Sequence, residues 1–99
     1  MKIYAVADIH GRKSRLERMR SAVAATSPDL VVMAGDITGF GNQDDLFAGL
    51  DSLSIPILAV AGNTDNANLE KEFAKYQNIL SIQLRKEVID GVSFIGLGG

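Results

Sequence analysis

Three short polar clusters along the chain carry residue types that bind divalent metal ions. Asp8 and His10 form a D-x-H pair, Asp36 follows a glycine, and Asn63 and Asp65 belong to a G-N-x-D segment. Carboxylate, amide and imidazole groups together suit Mn, Fe or Zn rather than Cu(I) or a thiolate-bound cluster. If the fold brings the three clusters together, the sequence therefore predicts a metal site.

Each cluster by itself also has an ordinary structural explanation. D-x-H pairs occur by chance, and a Gly-Asp or Gly-Asn pair after a strand is common in turns. All three clusters, however, directly follow an apolar run, and gathering carboxylates at one place costs free energy unless a cation offsets their charge. The combination therefore favours a metal site over three unrelated turns.

The elements expected to position these clusters are three parallel strands. Apolar runs at residues 2–7, 29–34 and 56–61 alternate with amphipathic stretches, which predicts βαβ units. Right-handed crossovers place the carboxyl ends of such strands at one edge of the sheet, where ligands collect. In extended backbone, residues i and i+2 point the same way, so Asp8 and His10 are expected to face one ion.

Three amphipathic segments are predicted as helices. The first presents Leu16, Met19 and Val23 on one face, and Ser14 and Glu17 match a capping box at its start. The apolar faces of the second and third helices consist of Leu46, Phe47, Leu50 and Leu53, and of Leu69, Phe73 and Tyr76, with Asn66 as the cap of the third.

The last part of the chain has a different pattern. Residues 84–89 and 92–97 flank Asp90-Gly91, which tolerates positive φ and predicts a two-residue β-hairpin. The expected fold class is α/β, with a parallel β-α-β-α-β layer followed by an antiparallel hairpin. This hairpin is expected to open the second sheet of a sandwich flanked by helices.

Length and composition narrow the function classes. The 99 residues are 46% hydrophobic and 22% charged, which is typical of one globular domain. A net charge of -2 does not indicate a nucleic-acid partner, and the lack of cysteine excludes disulfides and thiolate zinc sites. No apolar run is long enough for a membrane span, so we expect a cytoplasmic protein.

The motifs D-x-H, G-D and G-N-x-D, in this order, resemble the calcineurin-like metallophosphoesterase superfamily over essentially the whole chain. The resemblance implies that Asp8 and His10 hold a first ion, that Asp36 bridges two ions, and that Asn63 holds the second and contacts the substrate phosphate. It implies two divalent ions (Mn, Fe or Zn), a small phosphate-ester substrate, and in-line attack by a metal-bound hydroxide. The fold implied is the N-terminal half of a four-layer αββα sandwich.

The chain departs from this family pattern at two points. Many members have a histidine where this chain has Thr64, and because a hydroxyl is a poor general acid, a phosphodiester or an activated ester is favoured as substrate. The family also completes its site with further histidines, whereas His10 is the one histidine here. Residues 1–99 are therefore expected to be one incomplete domain, with weak or no activity alone. The alternative is a natural short chain whose open sheet edge is covered by a partner or by self-association.

A rival function is a non-catalytic binding module or scaffold that keeps the fold without the chemistry. The replacement at Thr64 and the missing histidines are its support. The number of metal ions bound per chain distinguishes the phosphoesterase from the non-catalytic module.

A basic run follows the first cluster and has two interpretations. It consists of Arg12, Lys13, Arg15, Arg18 and Arg20. Its ordinary interpretation is a solvated helix face, with Arg12 as the exception expected to contact an anionic substrate. The role of Asp65 also has two interpretations. Either it holds Asn63 or His10 in place by a hydrogen bond without binding the metal itself, or it caps the next helix.

Overall fold

Short aliphatic runs form the strands of this chain, and the amphipathic segments between them form helices. The computed structural model describes residues 1–39, 43–62, 65 and 69–97. In chain order its elements are β1 (Ile3–Val6), α1 (Lys13–Thr26), β2 (Leu30–Ala34), α2 (Asp44–Asp51), β3 (Ile57–Val60), α3 (Leu69–Phe73), β4 (Ile79–Ser81), β5 (Lys86–Ile89) and β6 (Val92–Ile95).

Strands β1 to β4 form a parallel sheet in the order β1-β2-β3-β4. Each strand therefore pairs with the next one along the chain, with Val31 opposite Tyr4 and Ile57 opposite Val31. Sequential parallel pairing requires a crossover after each strand, and the helices supply these crossovers. The carboxyl ends of all four strands consequently lie along one edge.

The two faces of this sheet belong to different cores. Helical side chains such as Met19, Phe47 and Phe73 pack with Val31 and Ile57 in the larger core. The smaller core consists of Leu30, Leu58 and Ile82, against which Ile89 and Phe94 of the hairpin pack. The helices therefore cover one face of the sheet, and the hairpin begins a second layer on the other.

The predicted fold class is confirmed, since a parallel layer is followed by an antiparallel hairpin. The predicted hairpin turn is also confirmed, because Asp90 and Gly91 have φ values of 50° and 77° and Ile89 pairs with Val92 across them. Positive φ at both central residues is the requirement of a type I′ turn.

Several local predictions are wrong. Strand β4 was not predicted, because three residues are too short to show a pattern. Helix α1 begins at Lys13, with Arg12 as its N-cap and no side-chain capping bond, so the capping box does not form. Leu84 has a φ of 54° and precedes the hairpin instead of belonging to it. Tyr76 follows α3 but still packs on the larger core, and the predicted cap Asn66 lies outside the described residues.

The hairpin and the residues beside it expose large apolar side chains. Val88 and Ile95 of the hairpin, and Leu84 and Leu97 next to it, expose between 54% and 78% of their surface. Within the part of the chain that the structure describes, no helix has the length and hydrophobicity needed to cross a membrane.

Candidate metal centre

The loops that follow β1 and β2 stay paired beyond the ends of the strands. The backbone N–H of His10 donates to the carbonyl oxygen of Asp36 at 2.9 Å, and the N–H of Gly11 donates to Ile37 at 2.9 Å. The N–H of Asp8 donates to Gly35 at 3.3 Å. These bonds hold the D-x-H loop against the G-D loop.

Two isoleucines anchor these loops in the larger core. Ile9 and Ile37 are each 1% exposed and belong to the cluster formed with the helices. Their chain neighbours are polar and lie nearer the surface, since Asp8 is exposed and His10 and Asp36 are half-buried. The alternation of buried isoleucine with polar residue thus directs the polar groups outward at the sheet edge.

All three polar residues adopt left-handed backbone conformations. The φ angles are 59° at Asp8, 52° at His10 and 50° at Asp36. The expectation of extended backbone across the D-x-H pair is therefore wrong, because β1 ends at Val6 and a loop follows. Such conformations cost about 1–3 kcal/mol each and concentrate at functional sites.

The three side chains nevertheless meet. One donor atom from each of Asp8, His10 and Asp36 lies within 4.8 Å of the other two. The His10 Nε2 atom is 3.8 Å from Asp8 Oδ1. Ligands about 2.0–2.2 Å from one ion lie at most about 4.4 Å apart, so small side-chain movements suffice to bind one. Two carboxylates and an imidazole fit Mn, Fe or Zn, as the sequence predicted.

Asp65 joins the loop after β3 to the loop after β2. Its Oδ1 accepts from the Thr38 N–H at 2.9 Å and the Thr38 hydroxyl at 2.8 Å, and its Oδ2 accepts from the Gly62 N–H at 2.8 Å. The Ile37 N–H donates to both oxygens, at 3.0 and 3.2 Å. Burial raises the pKa of Asp65. The hydrogen bonds from Gly62, Thr38 and Ile37 together lower it by more than burial raises it, so the pKa lies below its usual value.

Gly62 makes the close approach of these two loops sterically feasible. A Cβ atom at this position would overlap the carboxylate Oδ1 and the backbone nitrogen of Asp36. On the other side, a Cβ at Gly35 would lie 3.0 Å from the Cα of Gly62. The two loops therefore pack glycine against glycine beside Asp36.

Arg15 contacts the D-x-H loop directly, and the predicted contact of Arg12 with a substrate stays a prediction. The Nη1 atom of Arg15 donates to the carbonyl oxygen of Asp8, and its side chain is half-buried. Arg12 is the exposed N-cap residue of α1. The sequence signal for Arg15 was its position in the first turn of a helix that directly follows the D-x-H loop.

The remaining predicted site residue is Asn63. It lies outside the described residues, as does Thr64. The structure thus brings together three of the four predicted metal ligands and leaves the fourth as a prediction. Sequence reasoning had not identified Gly62 as a contact of Asp36, although its place before Asn63 is a signal of close backbone approach.

Comparison with known proteins places this chain in a family. A model of the calcineurin-like phosphoesterase family matches residues 1–99. The uncharacterized protein MJ1162 of Methanocaldococcus jannaschii is 32% identical over 101 residues, which cover 100% of this chain and 44% of that protein. A probable glycerophosphodiester phosphodiesterase, GpdQ of Arcobacter nitrofigilis, is 43% identical over 53 residues, which cover 50% of this chain and 19% of that protein.

A solved crystal structure has the same fold. It superposes with a TM-score of 0.79 at 18% sequence identity, and the match covers 98% of this chain and 52% of that chain. At this identity the likeness concerns the fold alone. The chain spans about half or less of the length of the three proteins compared.

Proposed function

Because the chain belongs to the calcineurin-like phosphoesterase family, we propose that its strand-end cluster is the metal site of a phosphoesterase. The proposed reaction is hydrolysis of a phosphodiester or a small phosphomonoester. The observation that carries the proposal is the meeting of Asp8, His10 and Asp36 within 4.8 Å at the carboxyl edge of the sheet.

The proposed site holds two divalent ions. Asp8 and His10 would hold the first ion, Asp36 would bridge both, and Asn63 would complete the second. The chemistry supplied by divalent ions at such a site is acidification of water and neutralisation of charge on the phosphate. Mn, Fe and Zn all accept these donors, so the native metal depends on availability as well as on the site.

The residues of the chain contribute position and charge. The paired loops hold Asp8 and Asp36 in left-handed backbone conformations, and because Asp8 is exposed and Asp36 is half-buried, a substrate has access to them. Arg15 places a positive charge beside the carbonyl of Asp8, where it favours the approach of an anionic ester. Arg12 lies one helical turn earlier and is proposed as a further contact for the substrate.

A phosphodiester is the preferred substrate class. The family resemblance implies a histidine at the position where this chain has Thr64, and a hydroxyl donates a proton poorly near neutral pH. An ester with a good leaving group depends less on such a proton. The name of the Arcobacter relative, a probable phosphodiesterase, supports the same class.

Two further parts of the proposal concern partner and location. The hairpin forms a two-stranded sheet of its own with an exposed apolar surface, and such sheets are marginally stable alone. We propose that two copies of the chain associate there through their open edges. A cytoplasmic location is also proposed, since a chain without cysteine suits a reducing compartment.

The test compares hydrolysis of bis(p-nitrophenyl) phosphate and p-nitrophenyl phosphate by the full-length gene product, with added Mn²⁺ and with a chelator. Asp36→Asn should abolish metal-dependent turnover. Asp51→Asn is the matched control, because it makes the same chemical change at the opposite end of the sheet, where Asp51 accepts from the Asn78 N–H at 2.8 Å. This control should keep wild-type turnover.

The same assay separates the enzyme from the binding module. Turnover that requires metal and Asp36 supports the phosphoesterase, and faster cleavage of the diester supports the substrate class. Tight Mn²⁺ binding without turnover of either ester, by a folded protein, would favour the binding module.

A further inference from the structure

One peptide group in the metal centre is held from both sides. This is the peptide that joins Asp36 to Ile37. Its carbonyl oxygen accepts from the His10 N–H at 2.9 Å, and its N–H donates to the Asp65 carboxylate at 3.0 and 3.2 Å. Because the peptide group is planar, fixing both of its ends fixes the ψ angle of Asp36.

This restraint acts on a residue that is strained. Asp36 has a φ of 50°, a conformation that persists only where the surrounding structure imposes it. The β1 loop imposes it through the N–H of His10, which itself belongs to the predicted ligand set. The β3 loop imposes it through Asp65, which also holds the next residue, Thr38, by two hydrogen bonds.

We propose that Asp65 is a positioning residue that sets the carboxylate of Asp36 for metal binding. The inference rests on the proposed function, since it assigns Asp65 a role at that same metal site. Asp65 works through the backbone and is not itself a ligand, because its oxygens accept from Gly62, Ile37 and Thr38. Metal affinity is therefore coupled to a residue 29 positions further along the chain than Asp36.

Removing the negative charge of Asp65 tests whether Asp65 positions Asp36. In Asp65→Asn, one of the two side-chain positions becomes an NH₂ group that faces N–H donors, whichever way the amide is turned. Partners that orient metal ligands change metal affinity by about 10- to 100-fold when they are mutated, so a loss of this size is expected. The measurement is calorimetric titration of the full chain with Mn²⁺, alongside thermal melting without metal.

Two controls separate positioning from stability and from charge. Asp51→Asn removes a carboxylate that accepts a backbone N–H far from the site, and it should melt earlier but bind Mn²⁺ like wild type. Thr38→Val keeps the charge of Asp65 but removes the hydroxyl that donates to it at 2.8 Å, and affinity should fall about fivefold. Thr38→Ser keeps the hydroxyl and should bind like wild type.

The outcomes distinguish this inference from the proposed function. If wild type itself binds no Mn²⁺, the proposed metal site is wrong. If wild type binds but Asp65→Asn binds equally well, or if Asp51→Asn loses as much affinity, the positioning role is wrong. Should Asp65→Asn not fold, the Thr38 pair decides, and equal affinity in its valine and serine variants would overturn the inference.

Discussion

Gly62→Ala places a methyl group where the structure has no room for one. The added Cβ would overlap Oδ1 and the backbone nitrogen of Asp36 and lie 2.9 Å from its Cγ. A flexible side chain could turn away from such a contact, but a backbone nitrogen cannot. Because the N–H of Ile37 is bound to Asp65, the loop that carries Asp36 is also held in place. The strain must therefore move one loop or displace the carboxylate.

The size of the effect follows from this contact. Overpacking by one methyl group costs about 1–3 kcal/mol of folding free energy. In a domain of this length, each kcal/mol lowers the melting temperature by about 4–8 °C. Since the methyl group displaces Asp36 directly, Gly62→Ala should also weaken Mn²⁺ binding by about tenfold or more, the range seen when the support of a metal ligand is lost.

Gly91→Ala is the control for stability. Gly91 has a φ of 77° in the hairpin turn, and nothing lies within 4 Å of the position of an added Cβ. Alanine there is strained by about 1–2 kcal/mol through its backbone alone. Both variants should melt at lower temperature, and only Gly62→Ala should lose metal affinity.

The assay is thermal melting with a chelator present, followed by calorimetric titration with Mn²⁺. A Gly62→Ala variant that melts like wild type would refute the steric argument. A variant that is destabilised but binds Mn²⁺ normally would refute the claim that the β3 loop positions Asp36.

Three further predictions use simpler measurements. Mn²⁺ at about 100 times its dissociation constant should stabilise the fold by about 2.7 kcal/mol in melting experiments. Asp36→Asn or a chelator should remove this stabilisation, and a wild-type melting temperature that does not depend on Mn²⁺ would contradict the prediction. Burial raises the pKa of Tyr76, and the negative charge of Asp44 raises it further. The neutral tyrosine is therefore favoured in the folded state, so the stability that it contributes is fully present below the unfolded pKa near 10 and is lost as pH rises through the folded pKa. Urea unfolding should therefore show wild type losing stability relative to Tyr76→Phe above pH 10, and parallel curves would exclude this. Ile95→Lys should reduce association of the chain in sedimentation velocity, because a lysine on an open edge opposes strand pairing, and a wild-type protein that is monomeric at high concentration would overturn the proposed contact.

The clustering of three candidate ligands could be predicted from the sequence because its signals are local. The largely buried strands β2 and β3 show as uninterrupted apolar runs, and so does the partly exposed edge strand β1. The polar residues that follow these runs are equally visible in the sequence. Parallel topology then brings these ends together without further information. For this reason Asp8, His10 and Asp36 were correctly placed side by side, and the predicted family was confirmed by the match over residues 1–99.

The missed features depend on contacts between distant residues. Strand β4 has three residues, and its pairing with β3 identifies it better than its own pattern does. The role of Asp65 could not be decided from sequence, because its partners Ile37 and Thr38 belong to another loop. The left-handed backbone at Asp8 was also hidden, since aspartate occurs in many conformations.

The backbone of the candidate metal centre adopts conformations that cost free energy. Asp8, His10 and Asp36 are all left-handed, and two of them bring carboxylates to one edge of the sheet. The burial of Ile9 and Ile37 and the hydrogen bonds of Asp65 keep this arrangement in place. A bound cation would relieve the repulsion between the carboxylates, but it would leave the backbone strain unchanged. The two isoleucines and Asp65 support the strained backbone without help from an ion, so we expect the proposed site to be preorganised for an ion instead of being assembled by one.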